Sequence, residues 1–351
     1  MRIVVLAGGT STERDVSISS GLLVSAALRE KGHHVVLLDV FTGYEKDIFD
    51  VDELFKQNYS FVTSATVGET ISDIDEIREN RRDKTNRFLG ENVVDICSCA
   101  DITFLALHGG EGENGKIQAT FDLLGLKYTG SGYLGSALAM NKGLTKSVLI
   151  QNKVLTPLGD IFKSEEDAAE WKLFPCVVKP CSGGSSVGIT IVRTEGEYKQ
   201  AVKDAFSFGE REIVVEQYVK GREFAVGVVG GKALPPIEII PNSEFYDYRT
   251  KYQAGAAIEK CPADITEEQD RVMRAAAVNT FNALHLDNYA RMDFILDKND
   301  NAYCLEANTL PGMTPTSLLP QEAAAEGMSY ADLCELIIKN SLEKYKNRKK
   351  L

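Results

Sequence analysis

Apolar residues near the start of the chain come in short continuous runs, followed by stripes at helical spacing. Ile3 to Leu6 is one such run, Gly8 and Gly9 follow it, SGLLVSAALREKGH carries the helical stripe, and VVLLDV is a second run. Strand, glycine turn, helix and strand make a βαβ unit, so this spacing predicts a parallel sheet in the first lobe. Residues 42–92 are charged and weakly periodic, and read as helices and loops inserted in that lobe. Ile102 to Leu107 is a further buried-type strand that delivers His108, Gly109 and Gly110 at its C-terminal end. In open parallel sheets, ligands lie at that end.

The pattern changes near Ala139. A helix is expected over Leu144 to Ile150, then PCVVKP is a strand running into CSGGSSVG, and GITIV and REIVVEQYV are strands with a helix between them. From about Gly221 come EFAVGVV, a proline-marked turn, KALPPIEII and the acid-rich helix TEEQDRVMRAAAVNTFNAL. The strands ARMDFILD and AYCLEANT follow, with a closing helix around Tyr330 to Lys344. The reading is a mixed α/β (α+β) chain of three lobes, divided at 1–137, 138–215 and 216–351. A chain of 351 residues, 44% hydrophobic and 26% charged, is too long for one typical core, and on length alone two or three lobes are expected.

Composition narrows the partners. The net charge of −12, from 51 acids against 39 bases, makes the chain a poor binder of nucleic acid. The basic tail KYKNRKKL reads as a solvated helix end, with cations favoured at a helix C-terminus. No segment approaches the ~18 to 20 consecutive apolar residues that span a bilayer. The opening MRIVVLAGGTSTERD goes straight into a strand without a signal peptide's longer apolar stretch, so a soluble, cytoplasmic protein is expected. Seven scattered cysteines without CxxC spacing argue against a disulfide framework or a zinc site. The CSC pair, Cys97 and Cys99, is read as part of a strand-like stretch. Cys181, in a glycine-rich loop, is expected to be exposed and oxidisable.

Four clusters carry candidate chemistry. Arg291 and Asp293 lie two apart on one predicted strand, and Glu306 and Asn308 two apart on the next, so each pair faces one side. If the DKNDNA turn makes the strands antiparallel, all four groups share a surface. Two acids and an amide oxygen there suit a hard cation such as Mg²⁺, and Arg291 adds a fixed charge for an oxyanion; a polar surface ladder is the plainer alternative. KPCSGGSSVG, Lys179 to Gly188, can fold backbone N–H groups over phosphates, but its lysine precedes the glycines, so it is neither a Walker A loop nor a GxGxxG turn. EQYVKGRE places Glu216 and Glu223 where an adenine and a ribose could be met. GGTSTERDVS puts Glu13 and Ser17 near a helix start, either as partners of the helix dipole or, for Glu13, as a binder of a substrate ammonium group.

Taken together these pieces resemble the D-alanine–D-alanine ligases of the ATP-grasp superfamily. The resembling segments are GGTSTERDVSISSG (8–21), HGGEGENGKIQATFDLLGLKYTGSG (108–132), SALAMNKGLTK (136–146), PCVVKPCSGGSSVG (175–188), EQYVKGREF (216–224), FYDYRTKY (245–252), ARMDF (290–294) and LEANTLPGMTPTSLLP (305–320), all in the family's order. The resemblance implies a three-lobed ATP-grasp fold, with ATP bound between two α+β lobes. It implies that Lys142, Lys179 and Lys251 neutralise ATP phosphates, and that Asp293, Glu306 and Asn308 hold two Mg²⁺ ions, or Mn²⁺. Glu216 with the backbone of Tyr218 and Val219 would seat the adenine, and Glu223 the ribose. Glu13 would bind the ammonium of the first D-alanine with His108 nearby. Arg291 and the Gly312 N–H would form an oxyanion hole, and Ser317 and Leu318 would bind the second D-alanine's carboxylate. Ser185, Tyr252 and Glu13 would link a flexible loop over the site, and FYDYRTKYQAG would be its lid. The implied activity joins two D-alanines through a D-alanyl phosphate, for peptidoglycan precursors, in a cytoplasmic homodimer.

Two departures stand out. Asn141 replaces the family's usual aspartate before Lys142, which puts the local hydrogen bonding in question. Ser182-Gly183-Gly184 occupies a stretch of the loop that varies among relatives. The competing readings are a D-alanyl–D-serine or D-alanyl–D-lactate ligase, another ATP-grasp carboxylate–amine ligase, and a non-catalytic nucleotide-binding regulator. Tyr252 and Leu318 favour two D-alanines.

Overall fold

The computed structural model describes residues 1–46, 50–64, 72–183, 188–241 and 257–348. The first lobe is built as the apolar runs predict. Strand β1 (Arg2–Ala7), helix α1 (Arg14–Glu30) and strand β2 (His34–Asp39) form the βαβ unit. Helices α2 (Val51–Lys56), α3 (Ile74–Asn80) and α4 (Val93–Ser98) precede β3 (Ile102–Leu105). β1 is the centre of a parallel sheet in the order β2-β1-β3. Its residues are buried by layers on both faces, which is why these strands read as unbroken apolar runs rather than alternating ones. The charged stretch from 42 to 92 supplies α2 and α3, each opened by an aspartate, Asp50 or Asp73, whose side chain accepts from two backbone N–H groups of its helix. The CSC pair corrects the expectation: it closes helix α4, with Cys97 buried and Cys99 exposed, and is not a strand.

Helices α5 (Gly110–Glu113), α6 (Lys116–Leu124), α7 (Tyr133–Met140) and α8 (Lys142–Gln151) lead to the second lobe. That lobe contains β4 (Gly159–Phe162), α9 (Glu165–Ala168), β5 (Cys176–Pro180), β6 (Thr190–Val192), α10 (Glu195–Ser207) and β7 (Ile213–Gln217). Its strands form an antiparallel sheet in the order β4-β7-β5-β6, with α10 packed over an apolar core of its own. The division placed between 215 and 216 therefore falls inside β7, and the one at 137/138 inside α7.

The third lobe comprises β8 (Gly221–Val229), β9 (Lys232–Ala233), β10 (Ile237–Pro241), β11 (Ala257–Lys260), α11 (Glu267–Ala283), β12 (Tyr289–Asp297), β13 (Ala302–Asn308), α12 (Leu318–Ala325) and α13 (Tyr330–Arg348). A second antiparallel sheet runs β11-β10-β8-β12-β13, with β9 paired to β8. α11 is closed at its start by a capping box between Thr266 and Gln269, and buries Met273, Ala277 and Phe281 against this sheet. The final helix returns to the first lobe. Leu333, Ile337 and Ile338 join the core under the parallel sheet, and Lys31 on α1's C-terminal side pairs with Asp332 at 2.6 Å. The chain thus ends by fastening its third lobe to its first.

Candidate active site

The register of two strands decides the chemistry. β12 and β13 are antiparallel with Arg291 opposite Asn308 and Asp293 opposite Glu306, so all four polar groups stand on one face as the spacing predicts. A register irregularity follows Asp293, the kind of local break that re-aims side chains beside active sites. Leu305 and Glu306 beyond it both line the same cleft.

Arg291 grips Asp293 with two parallel hydrogen bonds, Nε to Oδ1 at 2.7 Å and Nη2 to Oδ2 at 2.8 Å. Burial works against the guanidinium's charge, but the Asp293 carboxylate more than offsets it, so the group is held above its ordinary value and stays cationic. A carboxylate has about four lone-pair positions, so this fork leaves Asp293 room for a further electrophile. Glu306 faces Lys142, whose Nζ lies 3.6 Å away and also donates to Gly183 O at 2.8 Å. Asn308 Oδ1 accepts from Leu310 N at 3.0 Å, which fixes the amide and leaves its oxygen a second acceptor position. Among the described residues no three His, Cys, Asp or Glu side chains form a metal cage. A cation here would rely on two carboxylates, an amide oxygen, and oxygens from water and a phosphate. That set fits Mg²⁺, which keeps several such ligands.

Lys142 owes its position to Asn141. The Asn141 side chain caps α8 by accepting from Leu144 N at 2.9 Å, and the Lys142 N–H donates to Cys181 O at 2.8 Å. The amide therefore does a carboxylate's capping work, and the departure at 141 costs no hydrogen bond there. Cys181 is a correction: it is fully buried, and burial pushes its thiol up to about 12, so it is neither exposed nor easily oxidised.

A second cleft, of about 410 Å³, lies between the two antiparallel sheets. Val177, Ile189, Ile191, Ile239 and Leu305 give it apolar walls; Lys179, Glu216, Arg222, Glu223 and Glu238 are among its charged lining, with Tyr218 and Val219 beside them. The size and the mixture are those of a cofactor-sized site. The Tyr218 N–H is given to Pro175 O at 3.0 Å. Glu216, the expected partner of adenine, lines this cleft, and both its oxygens also meet lysines: Lys179 on Oε1, and Lys146 on Oε2 at 2.9 Å. Burial would raise its proton affinity, but the two lysines outweigh this and hold it below the usual carboxylate range. Lys146 was missed as a functional residue. It lies one helical turn after Lys142 on α8, and i, i+4 spacing is the signal that could have found it.

The two clefts meet. Glu223, Ile239, Asp293 and Glu306 line both, so the carboxylate pair sits on the boundary between them. On the far side of the pair, the first cleft is lined by Glu13, His108, Glu113, Lys142, Arg291, Gly312, Ser317 and Leu318. Glu13 stands at the start of α1 but makes no cap hydrogen bond with its side chain. It packs over Gly109, where an added Cβ would lie 2.7 Å from Glu13 Oε2, and whose φ of +68° favours glycine. Ser17 is structural: its hydroxyl accepts from Gly8 N at 2.8 Å and donates to Ala106 O at 2.7 Å.

His108 is buried and held at both nitrogens. Nδ1 donates to Leu310 O at 2.9 Å, a bond only a donor can make, and Nε2 lies 3.0 Å from Ser20 Oγ. Burial lowers its proton affinity from the ordinary 6.5, which fits a neutral ring accepting from Ser20. His108 thus fastens the loop that carries Gly312. An added Cβ at Gly312 would lie 2.8 Å from Ser317 Oγ, so a side chain there would displace the Ser317 hydroxyl. Ser317 stands at the N-cap position of α12 without a side-chain bond to the helix, its Oγ accepting instead from Thr314 N at 3.1 Å; Leu318 is the first residue of that helix, where backbone N–H groups lack intrahelical partners. A carboxylate is favoured at such a place. Ser185, Lys251 and Tyr252 lie outside the described residues.

Comparison with known proteins shows the family and the fold. The family model described as "D-ala D-ala ligase N-terminus" matches residues 2–131, and "D-ala D-ala ligase C-terminus" matches residues 149–339. A D-alanine–D-alanine ligase of Pediococcus pentosaceus is 45% identical over 354 residues, covering 100% of both chains. One of Lacticaseibacillus casei is 43% identical over 348 residues, covering 98% of this chain and 97% of the relative. Among solved structures, the D-alanine–D-alanine ligase of Bacillus anthracis complexed with ATP superposes with a TM-score of 0.73 at 29% identity, covering 99% of each chain. That of Coxiella burnetii gives 0.77 at 26% identity, covering 100% of this chain and 96% of the other.

Proposed function

This chain belongs to the D-alanine–D-alanine ligase family, and from that premise we infer how its residues share the work of the reaction. It is an ATP-dependent ligase of the ATP-grasp fold that joins two D-alanines. The observation that carries the residue-level reading is the boundary of the two clefts at Asp293 and Glu306, where a nucleotide's terminal phosphate and an amino acid's carboxylate can meet.

A carboxylate repels an attacking amine and offers no good leaving group. Transfer of the γ-phosphoryl group of ATP to the first D-alanine's carboxylate gives an acyl phosphate, from which phosphate departs readily. Lys179, aligned by Glu216, and Lys142, aligned by the α8 cap, neutralise the phosphates, a role also read for Lys251. Tyr218 and Val219 meet the adenine edge, and Glu223 the ribose. Asp293, Glu306 and Asn308 would hold magnesium or manganese, which when bound spreads the charge of the phosphates and fixes their orientation. Glu13 binds the first ammonium group, near His108. The carboxylate of the second D-alanine lies on Ser317 and the N–H of Leu318. Arg291 and the Gly312 N–H meet the oxygen that becomes anionic as the amine adds to the acyl carbon. Ser185 and Tyr252, with Glu13, would tie the loop that keeps water from the acyl phosphate.

No helix among the described residues is long and apolar enough to cross a membrane. The product class fits peptidoglycan precursor synthesis, and we place the enzyme in the cytoplasm as a homodimer. Supplying D-alanine, D-serine and D-lactate together with ATP and Mg²⁺ tests the reading. D-Alanyl-D-alanine should dominate at neutral pH, with one ADP and one phosphate per bond. Preferential incorporation of D-lactate or D-serine would overturn it.

A further inference from the structure

One buried acid of the substrate cleft has no task in this scheme. Glu113 ends α5, is 9% exposed, and lines the same cleft as Arg291, Gly312 and Ser317. We propose that Glu113 is the base that takes a proton from the ammonium group of the second D-alanine, an inference that rests on the ligase reading above.

The reaction needs such a group. D-Alanine arrives as a zwitterion, and an ammonium nitrogen has no lone pair with which to attack. Six carboxylates line the cleft, and the others are engaged. Asp293 is held by Arg291, Glu306 faces Lys142, and Glu259 accepts from Gln321 at 2.5 Å. Glu223 is shared with the nucleotide cleft, and Glu13 is assigned to the first ammonium group. Glu113 is left, lining the same cleft as Ser317, Leu318 and Gly312 and close enough to Glu13 and Arg291 to feel their charges.

Its surroundings suit the role. The carboxylate accepts a hydrogen bond from the backbone of Gly109, which orients it. Burial first, and the negative charge of Glu13 second, push its proton affinity up to about 8; Glu306 adds to this, while Arg291 opposes it. Tyr289 is the other titratable group that feels it. A carboxylate of ordinary acidity is a poor match for an ammonium group, and a raised one is a better base.

The step balances. The ammonium gives one proton to the Glu113 carboxylate and becomes an amine. The amine's lone pair forms the C–N bond at the acyl carbon, the C–O bond to phosphate breaks, and the departing phosphate carries away the electron pair. The second proton lost from nitrogen leaves on that phosphate, and Glu113 returns its own proton to water.

Hydroxylamine separates this role from others, because it is uncharged at neutral pH and attacks acyl phosphates with a lone pair already free. The Glu113→Gln enzyme is assayed with ATP, Mg²⁺ and D-alanine, with and without hydroxylamine. The amide matches the shape of the protonated acid, so the thermal unfolding midpoint should not fall. Dipeptide formation should drop by about 100-fold or more, while hydroxamate formation stays within about threefold of wild type. Equal loss of both products at an unchanged unfolding midpoint, or no loss of dipeptide, overturns the proposal. If the amide variant unfolds, Glu113→Asp carries the same test, since its carboxylate is withdrawn by one methylene: dipeptide should fall and hydroxamate should not. A wild-type enzyme that makes neither product would instead contradict the ligase reading itself.

Discussion

Glu306 stands at 30% side-chain exposure on the boundary of the two clefts, with Lys142 as its partner. Replacing it by Gln removes a charge but almost no volume. If it holds the metal, several kcal/mol of transition-state stabilisation go with that charge, and turnover should fall by about 100-fold or more with the fold intact. Near-wild-type kcat, beside an unchanged circular dichroism spectrum, would remove Glu306 from the metal site. His108 yields a prediction about stability. Its folded proton affinity is lowered by burial, so as pH falls the unfolded chain takes up the proton first. The contribution is intact above the ordinary 6.5 and is lost as pH falls from there through the lower folded value. Urea unfolding should show wild type losing more stability between pH 7.5 and 5.5 than His108→Gln does; equal losses would contradict the neutral, doubly held ring. At this scale the sequence was read well where two residues on a strand share a face, as with Arg291 and Asp293. It was read poorly where a partner is distant in the chain. Glu216 looks like any strand-end acid until Lys146 and Lys179 converge on it from other elements. Cys181 looks like a loop residue until its neighbours cover it.

Among the elements, α8 matters most to the phosphate side of the site. It presents Lys142 at its first turn and Lys146 one turn later, and Asn141 fixes where it starts. Asn141→Ala should cost about 1 kcal/mol of stability and raise the KM for ATP, because the cap that positions Lys142 is gone; Asn141→Asp should restore both. Glu216→Gln acts on the same phosphate-binding group from strand β7. All three side chains of the Lys146–Glu216–Lys179 cluster are less than 10% exposed, so solvent screens them little. Leaving two buried ammonium groups with one neutral acceptor should cost about 3–5 kcal/mol and weaken ATP binding. An unchanged unfolding midpoint would show that the cluster is wetter than its burial indicates. The first-lobe strands followed from unbroken apolar runs and the long helices from their apolar period. The CSC segment failed because a six-residue helix and a short strand carry the same apolar content, and only the packing of Val93, Ile96 and Cys97 into the first core decides between them.

At the scale of the molecule, the three sheets of the described residues are arranged so that a nucleotide-sized cleft and an amino-acid-sized one share a wall at Asp293 and Glu306. The closing helix α13 is part of this, since it belongs to the third lobe by sequence and to the first by its core contacts. Ile337 is fully buried there, and Ile337→Ala should cost about 2–5 kcal/mol in urea unfolding. The helix itself was legible from its period, but its docking on the first lobe was not, because an apolar stripe says that a face is covered and not by what. The shared wall was equally hidden, as it depends on register and on the packing of lobes. It is therefore the claim that most needs a direct observation: a crystal structure with ADP, Mg²⁺ and a phosphorylated analogue of the acyl phosphate. The account predicts metal bound by Asp293, Glu306 and Asn308, with the transferred phosphoryl group lying between them and Arg291. Metal held elsewhere, or a nucleotide whose phosphates point away from this pair, would contradict it.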